Sequence, residues 1–310
     1  AKFFLVSNMR NLTLRQFRAI RAVMRHRKIA AAANQLGLTA SAVTLQIKEV
    51  EKKLGIALFD RTGDGVHPTY AGLAVIEAAR MIESRLDELA DDIDAIKGLR
   101  KGALTLGVVS TAKYFAPRLV AGFIKMLPGI EMKLIVGNRA EIVAALESRA
   151  VDMALMGRPP RGMPVRSVLV GDHPLLIVAS PDHPLAGERN ISKERIAEEK
   201  FLVREAGSGT RTSLEIYFAD IPGRLDAIGT EMGSNETIKQ AVMAGLGVAF
   251  ISAHTIELEL ELSRLAILDV VGMPVHRQWF LVSRSDRALS HALGAFQGFV
   301  LGPGSKLMPK

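Results

Sequence analysis

Residues 28–54, KIAAAANQLGLTASAVTLQIKEVEKKL, decide how the amino-terminal part of this chain folds. Apolar residues recur every three or four positions in the second half of the stretch, at Val43, Ile47, Val50 and Leu54. This period puts them on one face of a helix over 40–54. Gly37 suits the left-handed residue that ends a helix, and Thr39 can cap the helix that follows. The stretch therefore predicts two helices joined by a short turn, the helix-turn-helix arrangement.

The predicted module extends to both sides of this stretch. Before it, an apolar repeat of helical period predicts a first helix over 14–26, followed by the alanine-rich helix over 28–36. After it, Gly63 and Gly65 predict a hairpin turn, which places a β wing beside the helices. We therefore expect a winged helix-turn-helix domain over 9–68.

The polar side of the helix over 40–54 carries side chains that suit contacts with DNA. Hydroxyl and amide groups can hydrogen-bond to base edges, Leu45 can contact a thymine methyl group, and lysines suit phosphates. The predicted DNA-binding residues are Lys28, Thr39, Ser41, Thr44, Leu45, Gln46, Lys48, Arg61 and Thr69. Simple exposure to solvent is the alternative for each residue taken singly, whereas the set on one helix face favours DNA contact.

Basic residues are concentrated in the same part of the chain. Residues 1–70 hold 12 of the 40 lysines and arginines but only 4 of the 32 acidic residues, so the formal net charge of +8 belongs to this end. A cationic face on a small helical module attracts a polyanion, which is most often nucleic acid.

The composition of the 310 residues narrows the class of protein further. With 48% hydrophobic and 23% charged residues, the chain can fold into two or three domains rather than remain disordered. The absence of cysteine excludes disulfides, thiolate catalysis and sulfur-bound zinc. No apolar run approaches the roughly 20 residues that span a bilayer. We therefore expect a cytoplasmic protein that does not enter the membrane, with Met9 as one candidate start and 1–8 as an extension.

Residues 69–101 predict a long linker helix that dimerises the chain. Apolar residues repeat at steps of three and four, at Leu73, Ile76, Ala79, Ile82, Leu86, Leu89, Ile93 and Ile96. So narrow a stripe is typical of a coiled-coil seam, although a helix packed on its own domain would also show one. Asp87, Glu88, Asp91, Asp92 and Asp94 fill the other side, and Gly98 and Gly102 indicate a hinge. A dimer would present two recognition helices to a two-fold-related DNA site.

Strand-like and helix-like segments alternate in 102–310, which predicts an α/β effector domain. Predicted strands cover 104–109, 131–136, 153–156, 175–179, 201–203, 248–251 and 279–283, and predicted helices cover 116–127, 140–148, 212–219, 235–244 and 290–300. We expect two lobes, lobe I at about 102–171 and 275–305 and lobe II at about 172–274. Ligands of such folds bind in the cleft, at the carboxyl ends of the strands.

Hydroxyl, amide and cationic side chains follow the predicted strands of both lobes. Together with the free N–H groups of helix N-termini, they suit a phosphate or a carboxylate. Each turn taken alone is as typical of an ordinary turn or helix cap, but several on one cleft favour an anionic ligand. The predicted ligand-binding residues are Ser110, Thr111, Lys113, Asn138, Arg139, Arg158, Arg204, Ser208, Thr210, Arg211, Ser234, Asn235 and Glu236.

Several strings of the chain resemble LysR-type transcriptional regulators. In the amino-terminal module they are AANQL at 32–36, TASAVT at 39–44, IKEVE at 47–51 and LFDR at 58–61. In the remainder they are STAKYF at 110–115, GNR at 137–139, MGRPP at 156–160, REAGSGTR at 204–211 and GSNETIKQ at 233–240. These later strings are similar to the subgroup that controls carbon-dioxide fixation (RuBisCO and Calvin-cycle) operons.

The resemblance implies a fold, a ligand class and partners. It implies a winged helix-turn-helix, a linker helix and a two-lobed effector domain like the periplasmic solute-binding proteins, in a homotetramer built as a dimer of dimers. The implied partners are double-stranded promoter DNA, RNA polymerase and an effector of the sugar-phosphate, phosphoglycolate or NADPH class. It implies no catalytic residue, metal or cofactor. We therefore expect a ligand-responsive transcription regulator of carbon-dioxide fixation genes.

The sequence leaves three alternatives open. A carboxylate inducer in a regulator of another operon is the alternative within the family. A metabolite-binding enzyme is a distant alternative, because His173, His183 and His254 stand in no G-x-S-x-G, H-E-x-x-H or complete dinucleotide-binding pattern. A transport-type solute-binding protein would carry an export signal and no DNA-binding module.

Overall fold

The computed structural model describes residues 9, 11–62, 65–96, 102–221, 229–286 and 289–309, with the side chains of Arg61 and of 87, 88, 91, 92 and 94–96 left out. The chain divides into two compact units, Ala1–Ala90 and Asp91–Lys310.

The first unit is a winged helix-turn-helix followed by a long helix. Its elements are α1 (Leu14–His26), α2 (Ile29–Leu36), α3 (Ala40–Leu54), β1 (Phe59–Thr62), β2 (Gly65–Pro68) and α4 (Tyr70–Ile96), which begins here and continues beyond Ala90. Gly37 ends α2 with φ of 64°, and the Thr39 hydroxyl accepts from the N–H of Ala42 at the start of α3. The antiparallel pair β1–β2 confirms the predicted wing.

The apolar faces of α1 and α3 meet in the core of this unit. Ile20, Val23, Val43 and Val50 are fully buried, together with Leu58 at the start of the wing. Gln16 on α1 also donates to the Glu49 carboxylate on α3, at 3.0 Å. These contacts fix the angle between α1 and α3, so the outer face of α3 has a defined orientation on the module.

The predicted apolar stripe of α4 is partly buried near the start of the helix and exposed farther along. Near its start, Ala79 is fully buried and Ile76 packs against the core of the winged helix-turn-helix. Farther along, Leu86, Leu89 and Ile93 are exposed. The predicted hinge residue Gly98 and the acidic side chains predicted for the other side of α4 lie outside the described part of the chain.

The second unit is an α/β fold whose strands follow the order β4-β3-β5-β11-β6-β9-β7-β8, with β10 beside β6. The strands are β3 (Gly102–Val109), β4 (Ile130–Gly137), β5 (Met153–Met156), β6 (Val165–Ala179), β7 (Phe201–Arg204), β8 (Thr230–Met232), β9 (Val248–Ser252), β10 (Ala266–Ile267) and β11 (Val275–Arg284). The helices are α5 (Ala116–Met126), α6 (Arg139–Glu147), α7 (Lys193–Ala197), α8 (Gly209–Tyr217), α9 (Asn235–Met243), α10 (Glu257–Glu261) and α11 (His291–Leu301).

The strands β6 and β11 connect two lobes. The first part of β6 pairs with β11, and from Leu175 to Val178 it pairs with β9. One apolar core surrounds β3, β5 and β11, and two others cover the faces of β9 and the end of β6. The predicted strand over 175–179 was therefore too short, because it is only the last third of a strand that begins at Val165. α7, β8, α10 and β10 were not predicted.

Candidate DNA-binding face and ligand cavity

The outer face of α3 carries the side chains that the sequence predicts for DNA contact. Ser41 and Lys48 are exposed, Thr44 and Gln46 are partly exposed, and Leu45 has 57% of its surface open to solvent. An apolar side chain that is this open on an otherwise polar helix face can contact a thymine methyl group.

Internal hydrogen bonds limit what two of these hydroxyls can still do. Thr44 Oγ1 donates to the Ala40 carbonyl oxygen at 2.8 Å, so it can offer only acceptor capacity to a base. Thr39 Oγ1 accepts from Ala42 N at 3.2 Å and lies 3.0 Å from Ser41 Oγ. Thr39 therefore caps α3 and orients Ser41, which leaves Ser41 and Gln46 as the hydroxyl and amide candidates for reading bases.

The other predicted DNA contacts lie at the edges of the module. Lys28 is exposed at the residue before α2. Thr69 Oγ1 donates to the Ala57 carbonyl at 2.8 Å and accepts from Gly72 N at 3.0 Å, so it fixes the junction between the wing and α4. The side chain of Arg61 lies outside the described part of the chain. DNA contact by these residues stays a prediction.

A cavity of about 460 Å³ lies between the two lobes of the second unit. It is bounded by the carboxyl ends of β3 and β5, the start of α6, the N-terminal turns of α8 and the middles of β6 and β11. Its lining residues are Val109, Ser110, Thr111, Arg139, Gly157, Arg158, Asp172, His173, Leu175, Ser208, Gly209, Thr210, Thr212, Ser213, Ile216, His276, Arg277, Gln278 and Phe280. This volume suits a small metabolite.

The charge on the cavity wall is predominantly positive. Arg139, Arg158 and Arg277 line it, and none of the three forms an ion pair among the described residues. Asp172 is the acid in the lining. Burial first, and then repulsion by the charge of Arg158, lower the pKa of Arg139. A multiply charged anion would relieve that repulsion.

Arg139 is held in place by oxygen atoms of the protein. Its guanidinium donates to the carbonyl oxygens of Arg158 and Pro159, at the end of β5. The N-terminus of α8 faces the same cavity with Ser208, Gly209 and Thr210. Lobe I therefore presents arginine side chains and lobe II presents a helix N-terminus, both of which bind anions.

The hinge strands add a buried histidine to the cavity wall. His173 on β6 stacks on Trp279 of β11 with ring centroids 3.8 Å apart, and it is 6% exposed. Burial first, then the nearby His254 and Arg277, lower its pKa to about 3. His173 is therefore uncharged at neutral pH, and the positive charge of the cavity comes from arginines.

A network of polar contacts crosses the cleft beside the cavity. Arg204 of lobe II donates to Ser110 Oγ of lobe I at 3.0 Å and to Asn235 Oδ1 at 2.6 Å. Glu236 accepts from the Tyr114 hydroxyl and lies 3.6 Å from Lys113 Nζ. The two lobes are thus joined by direct hydrogen bonds in this arrangement.

The predicted ligand-binding residues fall into two groups. Ser110, Thr111, Arg139, Arg158, Ser208 and Thr210 line the cavity, whereas Lys113, Asn138, Arg204, Arg211, Ser234, Asn235 and Glu236 do not. Arg211 is ion-paired to Glu215 and Glu231, which raises its pKa. Asn138 and Ser234 cap α6 and α9. Ligand contact by these residues stays a prediction.

Sequence reasoning missed the lining residues in the middles of β6 and β11. Asp172, His173, His276, Arg277 and Gln278 belong to this set. They do not lie at the carboxyl ends of the strands, where the sequence analysis expected the ligand-binding residues. Residues 275–279 (VHRQW) show no alternation of polar and apolar residues, so the sequence carries no local signal that β11 begins at Val275.

The described residues contain no cluster of histidine and acidic side chains with the arrangement of a metal site. They also contain no helix with the length and apolarity that a transmembrane span requires.

Two family models match the chain. The model for the bacterial regulatory helix-turn-helix protein, lysR family, matches residues 14–73, and the model for the LysR substrate binding domain matches residues 97–302. The first match covers the DNA-binding face described above, and the second covers both lobes and the cavity.

Individual proteins are similar over most of their length. The HTH-type transcriptional regulator CbbR of Rhizobium meliloti (strain 1021) is 60% identical over 97% of this chain and 96% of its own. A RuBisCO operon transcriptional regulator of Allochromatium vinosum is 46% identical over 96% of this chain and 98% of its own. The solved structure of the Synechocystis PCC6803 CcmR regulatory domain in complex with 2-PG is 36% identical, with a TM-score of 0.62 over 68% of this chain and all (100%) of that one.

Proposed function

The chain belongs to the LysR family of bacterial helix-turn-helix regulators, and from this premise we propose that it controls carbon-dioxide fixation genes in response to a phosphorylated metabolite. The observation that carries the choice of genes is its 46% identity, over nearly the whole length of both chains, to a RuBisCO operon transcriptional regulator. The observation that carries the choice of ligand is the set of three cavity arginines that form no ion pair within the described part of the chain.

A phosphate ester fits the cavity better than a simple carboxylate. A phosphate monoester carries close to two negative charges at neutral pH and offers three acceptor oxygens. Arg139, Arg158 and Arg277 supply three positive charges against the one negative charge of Asp172. The solved CcmR regulatory domain contains 2-PG, which is 2-phosphoglycolate, and supports the same class. We therefore place phosphoglycolate and sugar phosphates ahead of carboxylate inducers and of NADPH.

The proposed architecture has a DNA-binding domain at 9–68, a linker helix at 69–101 and an effector domain at 102–310. The exposed Leu86, Leu89 and Ile93 of α4 support pairing with a second copy of this chain. In that assembly, a dimer of dimers, the recognition helices would bind double-stranded promoter DNA in the bacterial cytoplasm, next to RNA polymerase. The cavity would bind its ligand without turnover, and the protein would need no cofactor.

The experiment compares promoter DNA with and without ligand. A fragment upstream of a RuBisCO operon from the source genome, and a shuffled fragment of the same base composition, are titrated at about 0.15 M salt, where nonspecific phosphate contacts are weakened. We expect preference for the promoter fragment, and a change in that affinity or in the footprint when 2-phosphoglycolate is present.

The outcomes separate the two parts of the proposal. Equal affinity for both fragments, with or without ligand, would contradict the choice of target genes. Preference for the promoter without any response to 2-phosphoglycolate or to ribulose bisphosphate, combined with a response to an unphosphorylated dicarboxylate, would contradict the ligand class and favour the carboxylate alternative.

A further inference from the structure

Ser110 is the one polar side chain that belongs both to the cavity wall and to the hydrogen bonds that cross the cleft, among the described residues. It follows the last residue of β3, and its backbone N–H donates to the Gly137 carbonyl at 2.8 Å. Its backbone carbonyl lies 3.5 Å from Asn235 Nδ2. The backbone of Ser110 is therefore engaged, and the hydroxyl is the group that it can offer to a ligand.

Arg204 approaches that hydroxyl from behind the cavity wall. It does not line the cavity and is only 4% exposed. Its Nε and Nη2 donate to the Glu205 carboxylate at 2.7 and 2.8 Å, and its Nη1 donates to Asn235 Oδ1 at 2.6 Å as well as to Ser110 Oγ at 3.0 Å. The bidentate contact with Glu205 fixes the plane of the guanidinium, so that Nη1 points toward Ser110.

The hydrogen-bond donors and acceptors in this contact determine where the hydroxyl hydrogen of Ser110 points. A guanidinium only donates, and a serine hydroxyl has one hydrogen and two lone pairs. Arg204 therefore occupies a lone pair of Ser110 Oγ, and the hydroxyl hydrogen must be directed elsewhere. Among the described residues, that hydrogen has no acceptor. An anionic ligand in the cavity would be the acceptor.

We propose that Arg204 is a positioning residue for the effector: it holds the Ser110 hydroxyl as a hydrogen-bond donor directed into the cavity. The positively charged guanidinium of Arg204 also polarises the Ser110 hydroxyl. This polarisation strengthens the hydrogen bond that the hydroxyl donates to an anion. The proposal rests on the anionic ligand proposed above and assigns Arg204 an action through Ser110 without contact to the ligand.

A mutant cycle on the full chain tests this assignment by calorimetric titration with 2-phosphoglycolate. The variants are Ser110→Ala, Arg204→Met and the double variant. We expect Ser110→Ala and Arg204→Met each to weaken binding by about tenfold to a hundredfold, the range for a hydrogen bond to a charged group. In the Ser110→Ala background, Arg204→Met should weaken binding by less than about threefold, because the group through which it acts is gone.

A matched control separates positioning from net charge. Arg195→Met removes an arginine of lobe II that is paired with Glu199 at 2.7 Å and does not line the cavity. We expect it to bind 2-phosphoglycolate as the unmodified chain does. The proposal would be wrong if Arg195→Met weakened binding as much as Arg204→Met does. It would also be wrong if the effects of Arg204→Met and Ser110→Ala were additive, because a nonspecific effect of charge would then explain the data.

Glu205→Gln provides a second variant in case Arg204→Met fails to fold. Removing a negative charge near an anionic ligand should tighten binding if charge alone matters. If Glu205 anchors Arg204 behind Ser110, the same change should weaken binding, and only when Ser110 is present. Tighter binding would overturn the proposal, and so would an unchanged affinity in either Ser110→Ala or Arg204→Met. If the unmodified chain binds neither 2-phosphoglycolate nor inorganic phosphate, the proposed ligand class itself is wrong.

Discussion

The buried imidazole of His173 makes the stability of the effector domain depend on pH in a calculable way. Burial lowers its pKa to about 3 in the folded chain, against 6.5 for an ordinary histidine. At pH 7.5 the group is neutral in both states, so it contributes nothing to the pH dependence. Below pH 6.5 the unfolded chain binds a proton that the folded chain does not, so stability falls as pH falls and the effect saturates near pH 3.

The size of the effect at pH 5.0 follows from these two values. The unfolded histidine is then 1.5 pH units below its pKa, which corresponds to about 2 kcal/mol of lost stability at 1.36 kcal/mol per unit. The result hardly depends on the folded value, because any folded pKa below about 4 leaves the native imidazole uncharged at pH 5.0. Between pH 7.5 and 5.0, His173 alone should therefore remove about 2 kcal/mol.

The single tryptophan of the chain allows unfolding of the effector domain to be followed in the full chain. Trp279 stacks on His173, and its fluorescence in a urea titration reports on the unfolding of the effector domain. His173→Phe keeps an aromatic ring on Trp279 but cannot be protonated. We expect the unmodified chain to lose about 2 kcal/mol more than His173→Phe between pH 7.5 and 5.0. Equal losses in the two proteins would refute the assignment of a depressed pKa to His173.

Four further changes test the site and the fold. Arg158→Gln should weaken 2-phosphoglycolate binding by about tenfold to a hundredfold in calorimetry, and an unchanged affinity would exclude Arg158 from the ligand site. Ser41→Ala should reduce affinity for promoter DNA more than for shuffled DNA in a mobility shift, since it removes a base-reading hydroxyl rather than a phosphate contact. Leu89→Glu, at a residue 53% exposed on α4, should lower the molecular mass in analytical ultracentrifugation, and an unaltered mass would place the dimer interface elsewhere. Gly72→Ala would put a Cβ 2.0 Å from the Leu58 carbonyl oxygen, so calorimetric melting of the DNA-binding unit should occur at a clearly lower temperature.

Local patterns predicted most of the helices because each helix combines a period with its own end signals. α1 and α3 begin and end where the apolar repeats predict, and the side chains of Thr13 and Thr39 cap their N-termini. These residues act within one turn of their own position, through hydrogen bonds that do not depend on the rest of the chain. The bounds of α1, α2 and α3 could therefore be predicted from the sequence to within one residue.

The strand β6 could not be read in this way because its middle resembles a turn. The sequence Gly171-Asp172-His173-Pro174 has the composition of a loop, and Pro174 cannot donate to a neighbouring strand. In the structure these four residues pair with β11, and β6 begins to pair with β9 at the next residue, Leu175. Pairing with β11 therefore holds an extended conformation against the local preference.

The division of the predicted ligand residues also depends on contacts across the fold. Arg211 was recognisable as an i,i+4 partner of Glu215 on α8, and Arg204 stands next to Glu205. Both signals indicate arginines that the protein itself satisfies. The role of Arg204 behind Ser110 could not be inferred, because these residues come from different lobes and meet only in the folded chain.

The contacts across the cleft limit how a ligand could act on the proposed regulator. The lobes are joined by Ser110–Arg204, by Tyr114–Glu236 and by the Ala140 N–H, which donates to the Gly207 carbonyl at 3.2 Å. An anion that contacts arginines of lobe I and the α8 N-terminus of lobe II adds attraction to this same arrangement. By linkage it can shift the equilibrium only by the difference in its affinity for the joined and separated lobes. A ligand that reaches only one lobe would bind both arrangements alike and leave DNA binding unchanged, so the response requires a molecule long enough to touch Arg158 and Ser208 together.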